Sequence, residues 1–475
     1  MVINLIMEKF KNKKIALVYG QSIEGCGVTK VGAEIQKWCK QHDIQADIYS
    51  YDERKYNRRD VHDVDFISFE KDDIGNIVKE LNQYDIVMFH SYPAKKFPNE
   101  SIKAFYEDLI KNINCIKVGF MHEINKTNVD KIPFLVGIMN QMDLIYNFSQ
   151  KTWFSQNISK LLPSKDLGER VCKFSMLFDF DELKKYRDKI SLNDKEKKLM
   201  YIGRWTTMKD PRRLLEMAPI LYNKDSNFKL ELCGLERSIG AYHDIFKQDN
   251  CLDKTRKKDP DEIPENAVPV YGPYKYEEGM EKLANSLFGC SFYRLPRTPE
   301  NYGDRMEYTQ IEIIAAGSIP VFDKHWGENN YIKDGQRFID IPYSAIYSDK
   351  EDLEGTVNKL IEVANDKELQ EKYRKKSYEI AKQQFDINIV LPEILNHILE
   401  KGIDKNKFKN DDKLILNLTS DCEDNEEFLK IFNEQKNKGE IVVMGIRELG
   451  RDNEVCVLGG KSGRKEVKIK KFKKK

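Results

Sequence analysis

Short apolar runs alternate with amphipathic stretches almost from the start of the chain. KIALVYG (14–20) has the continuous apolar character of a strand buried on both faces, and 28–42 carries the 3.6-residue spacing of a helix. Further strands are predicted at 46–51, 65–69, 85–90 (DIVMFH), 116–122 (IKVGFMH) and 143–148, with helices between them. This βα alternation builds a parallel, doubly wound sheet, because parallel neighbours need a long crossover and a helix supplies it.

A polar stretch, RDKISLNDKEKK (187–198), interrupts the pattern. It restarts with LMYIGR (199–204), FKLELCG (228–234), VPVYG (268–272), GCSFYRL (289–295) and SIPVFD (318–323). Helices predicted at 351–364, 366–385 and 387–400 close the second lobe. The expected fold class is α/β, with two Rossmann-like doubly wound lobes facing a cleft. Residues 1–188 form the first lobe, 189–385 the second, and 386–403 a closing helix. Ligands of such sheets sit at the carboxyl ends of the strands and between lobes. Residues 404–475 read as a small αβ appendage: KLILNLT, an acidic helix (DCEDNEEFLKIFNEQ, 421–435), GEIVVMGI, EVCVLGG and a basic tail.

Charge changes the picture at that tail. The 475 residues hold 79 Lys+Arg and 78 Asp+Glu, a net of +1. The last fifteen residues, KSGRKEVKIKKFKKK, carry nine basic residues against one Glu, a local +8, so residues 1–460 sum to −7. An acidic body with a basic end is a different object from a neutral protein. The 40% hydrophobic content, 15 Pro and 26 Gly exclude fibrous and disordered classes. No apolar run approaches the ~18–20 residues of a membrane helix. The N-terminus, MVINLIMEKFKNKK, places apolar residues before basic ones and has no small-residue cleavage site, unlike a secretory signal. Nine cysteines lie scattered from Cys26 to Cys456 without a C-x-x-C pair, as suits free thiols in a reducing compartment. A soluble, monomeric, cytoplasmic protein with no membrane partner is expected.

Three stretches carry candidate chemistry. GQSIEGCGVTKVG (20–32) is a glycine-rich turn leading from a strand into a helix, where backbone N–H groups can meet phosphate or sugar oxygens. It lacks the spacing of a dinucleotide fingerprint and the order of a P-loop, so a tight structural turn remains an equal reading. YIGRWTTMKD (201–210) places Arg204 and Lys209 just past a strand. Two cations there can clamp a diphosphate, Arg as a fork and Lys as a point charge. YGDRMEYTQIEIIAAGSIPVFDKHWGEN (302–329) places Glu307 and Glu312 five apart on a predicted helix, with Asp304 eight before Glu312. Such carboxylates can accept hydrogen bonds from sugar and ribose hydroxyls. Glu312 sits among Ile311, Ile313, Ile314 and Ala315, an apolar setting that asks for a buried partner.

The pattern around 304–322 resembles the Glu-x7-Glu element of retaining glycosyltransferases with the GT-B fold, whose GR-x4-K segment binds the nucleotide diphosphate. The closer resemblance is to the DNA α-glucosyltransferases of T-even phages. EGCGVTK (24–30), IGRWTTMK (202–209), GLERS (234–238) and MEYTQIEIIAAGSIPVF (306–322) occur in the family's order, with HSYPA (90–94) and MHE (121–123) as looser matches. The resemblance spans about 14–400; the segment beyond 404 departs from it, as does Glu123 where the family has Asp.

This resemblance implies that Arg204 and Lys209 neutralise the leaving diphosphate, that Glu312 holds the ribose and that Glu307 holds the transferred sugar. Gly25 and Gly27 would line the cleft under the sugar, with Glu236 and Arg237 near the nucleotide. His122 and Glu123 would end a first-lobe strand where the acceptor hydroxyl arrives. With retention, the β-phosphate itself or Glu123 would take the acceptor's proton. The implied donor is UDP-glucose or another UDP-sugar such as UDP-arabinose. The implied acceptor is double-stranded phage DNA carrying 5-hydroxymethylcytosine or another hydroxymethylpyrimidine, whose glucosylation would protect it from restriction nucleases in the cytoplasm of the infected cell. A glycan, lipid or protein acceptor, or an inactive fold used as a DNA-binding module, stand as alternatives.

No metal site is expected. Asp179-Phe180-Asp181 opens a helix, where acids cap, and Asp259-Pro260-Asp261 lies in a charged loop. A Mg²⁺ held loosely on the diphosphate needs no motif. For DNA, the loop YDERKYNRRD (51–60) offers Arg54, Lys55, Arg58 and Arg59 to phosphates, with Tyr56 to stack or wedge; a solvated loop is the equal alternative. The basic tail is expected to be a nonspecific DNA tether, with a merely solubilising end as the alternative.

Overall fold

The first lobe is a seven-stranded, all-parallel sheet in the order β3-β2-β1-β4-β5-β6-β7. Its strands are β1 (Lys14–Tyr19), β2 (Gln45–Tyr51), β3 (Phe66–Phe69), β4 (Ile86–His90), β5 (Ile116–Met121), β6 (Leu144–Asn147) and β7 (Val171–Lys173). Helices α1 (Gly27–Gln41) and α2 (Ile74–Leu81) are among its crossovers. Every β4 residue is buried, as expected for a strand covered on both faces. These features come from a computed structural model that describes residues 8–19, 27–51, 66–69, 74–90, 108–121, 141–147, 171–173, 176–204, 209–235, 251–253, 268–271, 275–293, 306–332, 335–402, 415–416, 441–447, 454–460 and 468–473.

After the short α3 (Lys184–Arg187), the second lobe repeats the construction. Its order is β10-β11-β9-β8-β12-β13-β14, again parallel throughout. The strands are β8 (Glu196–Arg204), β9 (Lys229–Leu235), β10 (Cys251–Asp253), β11 (Val268–Tyr271), β12 (Ser286–Ser291), β13 (Ile319–Asp323) and β14 (Ile346–Ser348). Helices α4 (Arg212–Lys224), α5 (Tyr276–Asn285), α6 (Tyr308–Ala315), α7 (Lys324–Asn329), α8 (Leu353–Asn365) and α9 (Lys367–Phe385) complete it.

Four expectations need correction. The strand predicted at 289–295 is Ser286–Ser291, because α5 runs straight into β12 and the buried Phe292 and Tyr293 lie just past the strand's end. Three short strands, β7, β10 and β14, fall where no apolar run announced them. Glu307 stands at the N-cap of α6 rather than within it. The last helix, α10 (Ile387–Gly402), does not close the second lobe but crosses back to the first. Phe178 N–H donates to Phe385 O (2.9 Å) and Ile387 N–H to Phe178 O (3.0 Å). Trp38 Nε1 then donates to Asn388 Oδ1 (3.0 Å), and Tyr146 OH meets His397 Nδ1 at 2.7 Å. The buried stripe Ile387, Val390, Leu391, Ile394, Leu395, Ile398 shares one core with Ile35, Trp38 and Tyr146, so α10 ties the lobes together.

The appendage is a four-stranded sheet, β15 (Ile415–Leu416), β16 (Ile441–Arg447), β17 (Glu454–Gly460) and β18 (Lys468–Lys473), in that order. β15 and β16 are parallel and the rest antiparallel. The acidic helix expected at 421–435 lies outside the described residues. Part of the basic tail is thus an edge strand in register with Glu454–Gly459, not a loose end. Among the described residues, no helix is long and apolar enough to cross a membrane.

Candidate active site at the strand ends

The register of each sheet lines up the candidate segments. Tyr19 pairs with His90 and His90 with Phe120, so the carboxyl ends of β1, β4 and β5 lie side by side in the first sheet. In the sequence these strands run into the glycine-rich stretch, HSYPA and MHE. In the second sheet Gly203 pairs with Gly234 and Arg204 with Leu235, so β8 and β9, which carry the starts of IGRWTTMK and GLERS, also end as neighbours. Gly203 has φ +140°, a conformation side chains rarely adopt, and it reorients the chain just before Arg204.

Lys209 and Glu307 form a direct ion pair. Glu307 caps α6: its backbone N–H donates to Gln310 Oε1 at 2.9 Å, while its carboxylate turns to the lysine. The Lys209 ammonium also lies 4.8 Å from the centre of the Tyr293 ring. The turn carrying Lys209 is held by Arg213, which is 1% exposed. Arg213 donates to Asp210 Oδ2 (3.1 and 3.2 Å), to Asp323 Oδ2 (2.7 Å) and to Tyr293 O (2.6 Å). One buried guanidinium thus joins the turn after β8 to the carboxyl ends of β12 and β13. Asp210 takes φ +43°, a strained value for a residue with a side chain, and its carboxylate is fixed by Arg213.

Glu312, one turn into α6, faces the first lobe. The buried partner its apolar setting asks for is Lys30, three residues into α1. Lys30 Nζ lies 2.7 Å from Glu312 Oε1 and 3.0 Å from Tyr276 OH, and Tyr276 OH donates to the same Oε1 at 3.2 Å. The rings of Phe178, Tyr276 and Tyr308 stand 4.7–4.9 Å from the ammonium. Burial alone would pull Lys30 down, but Glu312, with Glu34 and Glu182 behind it, more than reverses this and holds it above the ordinary lysine range. Gly27 opens α1 against Tyr308: a side chain there would come within 3.2 Å of that ring.

Glu34, one turn beyond Lys30, is buried too. Burial pushes its carboxyl up to about 8 against the pull of Lys30. Asp179 and Glu182 lie close by, but Lys37 Nζ already sits 3.2 Å from Asp179 and 3.3 Å from Glu182. Asp179 Oδ1 also accepts from the backbone N–H of Asp181 (3.0 Å) and Glu182 (3.2 Å), capping the turn. His90 is packed between Tyr19 and Phe120 with ring centres 4.6 Å apart, and burial lowers it to about 3.

The structure therefore brings together Gly27, Lys209, Glu307 and Glu312, with Arg204 at the adjoining strand end. Gly25, His122, Glu123, Glu236, Arg237 and the loop residues Arg54, Lys55, Tyr56, Arg58 and Arg59 lie outside the described residues. Sequence reasoning missed Lys30 as an individual residue, along with Tyr276, Tyr308 and Arg213. Lys30 and Glu34 left one signal: charges four apart on a helix whose other inner residues, Val31 and Ile35, are apolar.

Comparison with known proteins gives one answer. A family profile for DNA alpha-glucosyltransferase matches residues 26–368. The DNA alpha-glucosyltransferase of Enterobacteria phage T4 is 24% identical over 401 residues, 80% of this chain and 98% of that one. A solved alpha-glucosyltransferase in complex with UDP and a 13-mer DNA containing an HMU base superposes with a TM-score of 0.67 at 23% identity, covering 82% of this chain and 99% of that one. The Anabaena protein Alr3699/HepE in complex with UDP follows at 0.56 and 13%, covering 82% and 100%. About a fifth of this chain has no counterpart in these relatives.

Proposed function

The chain belongs to the DNA alpha-glucosyltransferase family, and from that premise we propose that it transfers glucose from UDP-glucose, with retention, to 5-hydroxymethylcytosine in double-stranded phage DNA. The observation that carries this reading is the arrangement of Lys209, Glu307 and Glu312 around one helix start at the strand ends. Relatives in complex with UDP-glucose and with DNA support the donor and acceptor classes.

Within the chain itself these charges neutralise one another. Glu307 occupies Lys209 until a diphosphate arrives. The β-phosphate, with up to two negative charges, then competes for the ammonium, and Arg204 at the adjoining strand end adds its fork. Release from Lys209 leaves the Glu307 carboxylate to accept hydrogen bonds from the sugar. Glu312 keeps its Lys30 contact and receives the ribose.

In the transfer, the bond from the glucose anomeric carbon to the β-phosphate oxygen breaks. A bond from that carbon to the hydroxymethyl oxygen forms on the same face. The hydroxyl proton passes to the departing phosphate, or to Glu123. Charge on the β-phosphate grows as the bond breaks, so Arg204 and Lys209 stabilise the transition state more than the ground state. His122 and Glu123, following β5, receive the acceptor. The basic tail and the 51–60 loop supply phosphate contacts that the rest of the acidic body lacks. Glucosylated bases would resist nucleases in the infected cell's cytoplasm.

The test is a screen of UDP-glucose and other UDP-sugars against duplexes containing hydroxymethylcytosine, hydroxymethyluracil or neither, read by nucleoside mass spectrometry. A glucosyl-hydroxymethylcytosine product is expected. Transfer to hydroxymethyluracil alone, or of another sugar alone, would overturn the assigned pair.

A further inference from the structure

We propose that Lys30 and Tyr276 are positioning residues for the nucleotide's ribose: together they hold one oxygen of Glu312 so that the other is presented to the ribose hydroxyls. This rests on the reading above that Glu312 receives the ribose. Both hydrogen bonds to that carboxylate fall on Oε1, from Lys30 Nζ at 2.7 Å and Tyr276 OH at 3.2 Å. Among the described residues none falls on Oε2. A carboxylate can accept about four hydrogen bonds through its two oxygens, and Glu312 therefore keeps the capacity of one oxygen for a ligand.

The arrangement fixes direction as well as charge. Lys30 and Glu312 side chains are 8% and 11% exposed, so little water competes. Three aromatic rings surround the ammonium and leave it few alternative positions. Tyr276 closes the triangle by bonding both partners. A ribose diol offers two donors whose recognition depends on the acceptor's orientation, and a site built to bond a hydroxyl discriminates against an analogue that lacks it. Without Lys30 the carboxylate would lose its anchor and its counter-charge together.

The two lobes share this device. Lys30 belongs to α1, which begins directly after the glycine-rich turn of the first lobe, whereas Glu312 and Tyr276 belong to the second. Nucleotide recognition in the second lobe is thereby completed by a side chain of the first.

The experiment is calorimetry on the full chain with UDP, 2′-deoxyuridine diphosphate and 3′-deoxyuridine diphosphate. The wild type is expected to prefer UDP over at least one deoxy analogue by tenfold or more. Lys30→Met is expected to bring that ratio to within about threefold of unity, Tyr276→Phe to reduce it by less, and Lys30→Arg to retain it. Lys30→Met leaves Glu312 buried without its counter-ion, so the same pair of measurements is made in a Glu312→Gln background. There Lys30→Met should change UDP affinity less than threefold.

A wild type that does not discriminate would overturn the ribose role of Glu312 and this inference with it. A discriminating wild type whose preference survives in Lys30→Met would overturn this inference alone. So would a Lys30→Met effect as large in the Glu312→Gln background as with the native carboxylate.

Discussion

Arg213 Nη1 lies 2.7 Å from Asp323 Oδ2, a contact buried on both sides that spans 110 residues of sequence. The same guanidinium holds Asp210, next to Lys209, and Tyr293 O, next to the ring under the Lys209 ammonium. Replacing Arg213 by Met would leave Asp210 and Asp323 buried without a counter-charge. Such a loss costs about 3–5 kcal/mol, and Arg213→Met is expected to lower the denaturant midpoint by a corresponding amount. Arg213→Lys should recover only part of it, because an ammonium cannot reach three acceptors in the fork's geometry.

Lys209→Ala removes one charge from the departing diphosphate. Turnover should fall by about two to three orders of magnitude, the scale for losing one transition-state donor, with thermal stability little changed. Glu307→Gln has a split outcome. UDP, which lacks the sugar, should bind more tightly because Lys209 no longer has a competing carboxylate, while transfer of glucose should slow. Calorimetry with UDP beside turnover with UDP-glucose reads both.

Glu34 makes stability depend on pH in a direction unusual for a carboxylate near cations. Its folded value, about 8, lies above the ordinary 4.5 because burial disfavours the charged form. Between those values the folded protein holds a proton that the unfolded chain has released. Its contribution is therefore fully present below about pH 4.5 and is lost as pH rises towards 8. Glu34→Gln keeps a neutral group of the same shape and should flatten that fall. Melting temperatures of the two proteins, compared from pH 5 to 8.5, should diverge in favour of Glu34→Gln as pH rises.

The basic end is tested without deletion, since Lys468–Lys473 is a strand whose removal would strip β17 of a neighbour. Replacing Lys468, Lys470, Lys471 and Lys473 together by Gln should weaken binding to an unmodified duplex. It should also make the salt dependence shallower, by roughly 0.9 in log–log slope for each DNA phosphate no longer neutralised. UDP binding should be unchanged. An unaltered slope would remove the tail from the DNA-binding account.

How far the sequence revealed this molecule depends on the range of each signal. Strands β1, β4, β5, β8 and β13 were legible because their central residues are buried and read as largely apolar runs. The edge strands β7, β10 and β14 were not, being three residues long and set by their neighbours rather than by their own composition. The stripe of α10 announced that it was buried but could not say against which lobe; that depends on the crossing at Phe178 and Asp386. In the candidate site, Lys209, Glu307 and Glu312 stood out because charges beside a buried strand or within an apolar helix need a reason. Their partners did not. Lys30 is 282 residues from Glu312, and no local pattern links them. Arg213 drew no notice in the sequence, because its acceptors, Asp210, Tyr293 O and Asp323, come together only when three strand ends converge.

Transfer of glucose from UDP-glucose to hydroxymethylcytosine in DNA is tested most directly by counting label retained in DNA. The full chain is incubated with UDP-[14C]glucose and matched duplexes, one carrying hydroxymethylcytosine and one carrying cytosine. Label in the first duplex, absent from the second and abolished by Lys209→Ala, is the predicted result. Label in neither duplex, with the donor consumed or bound, would contradict it.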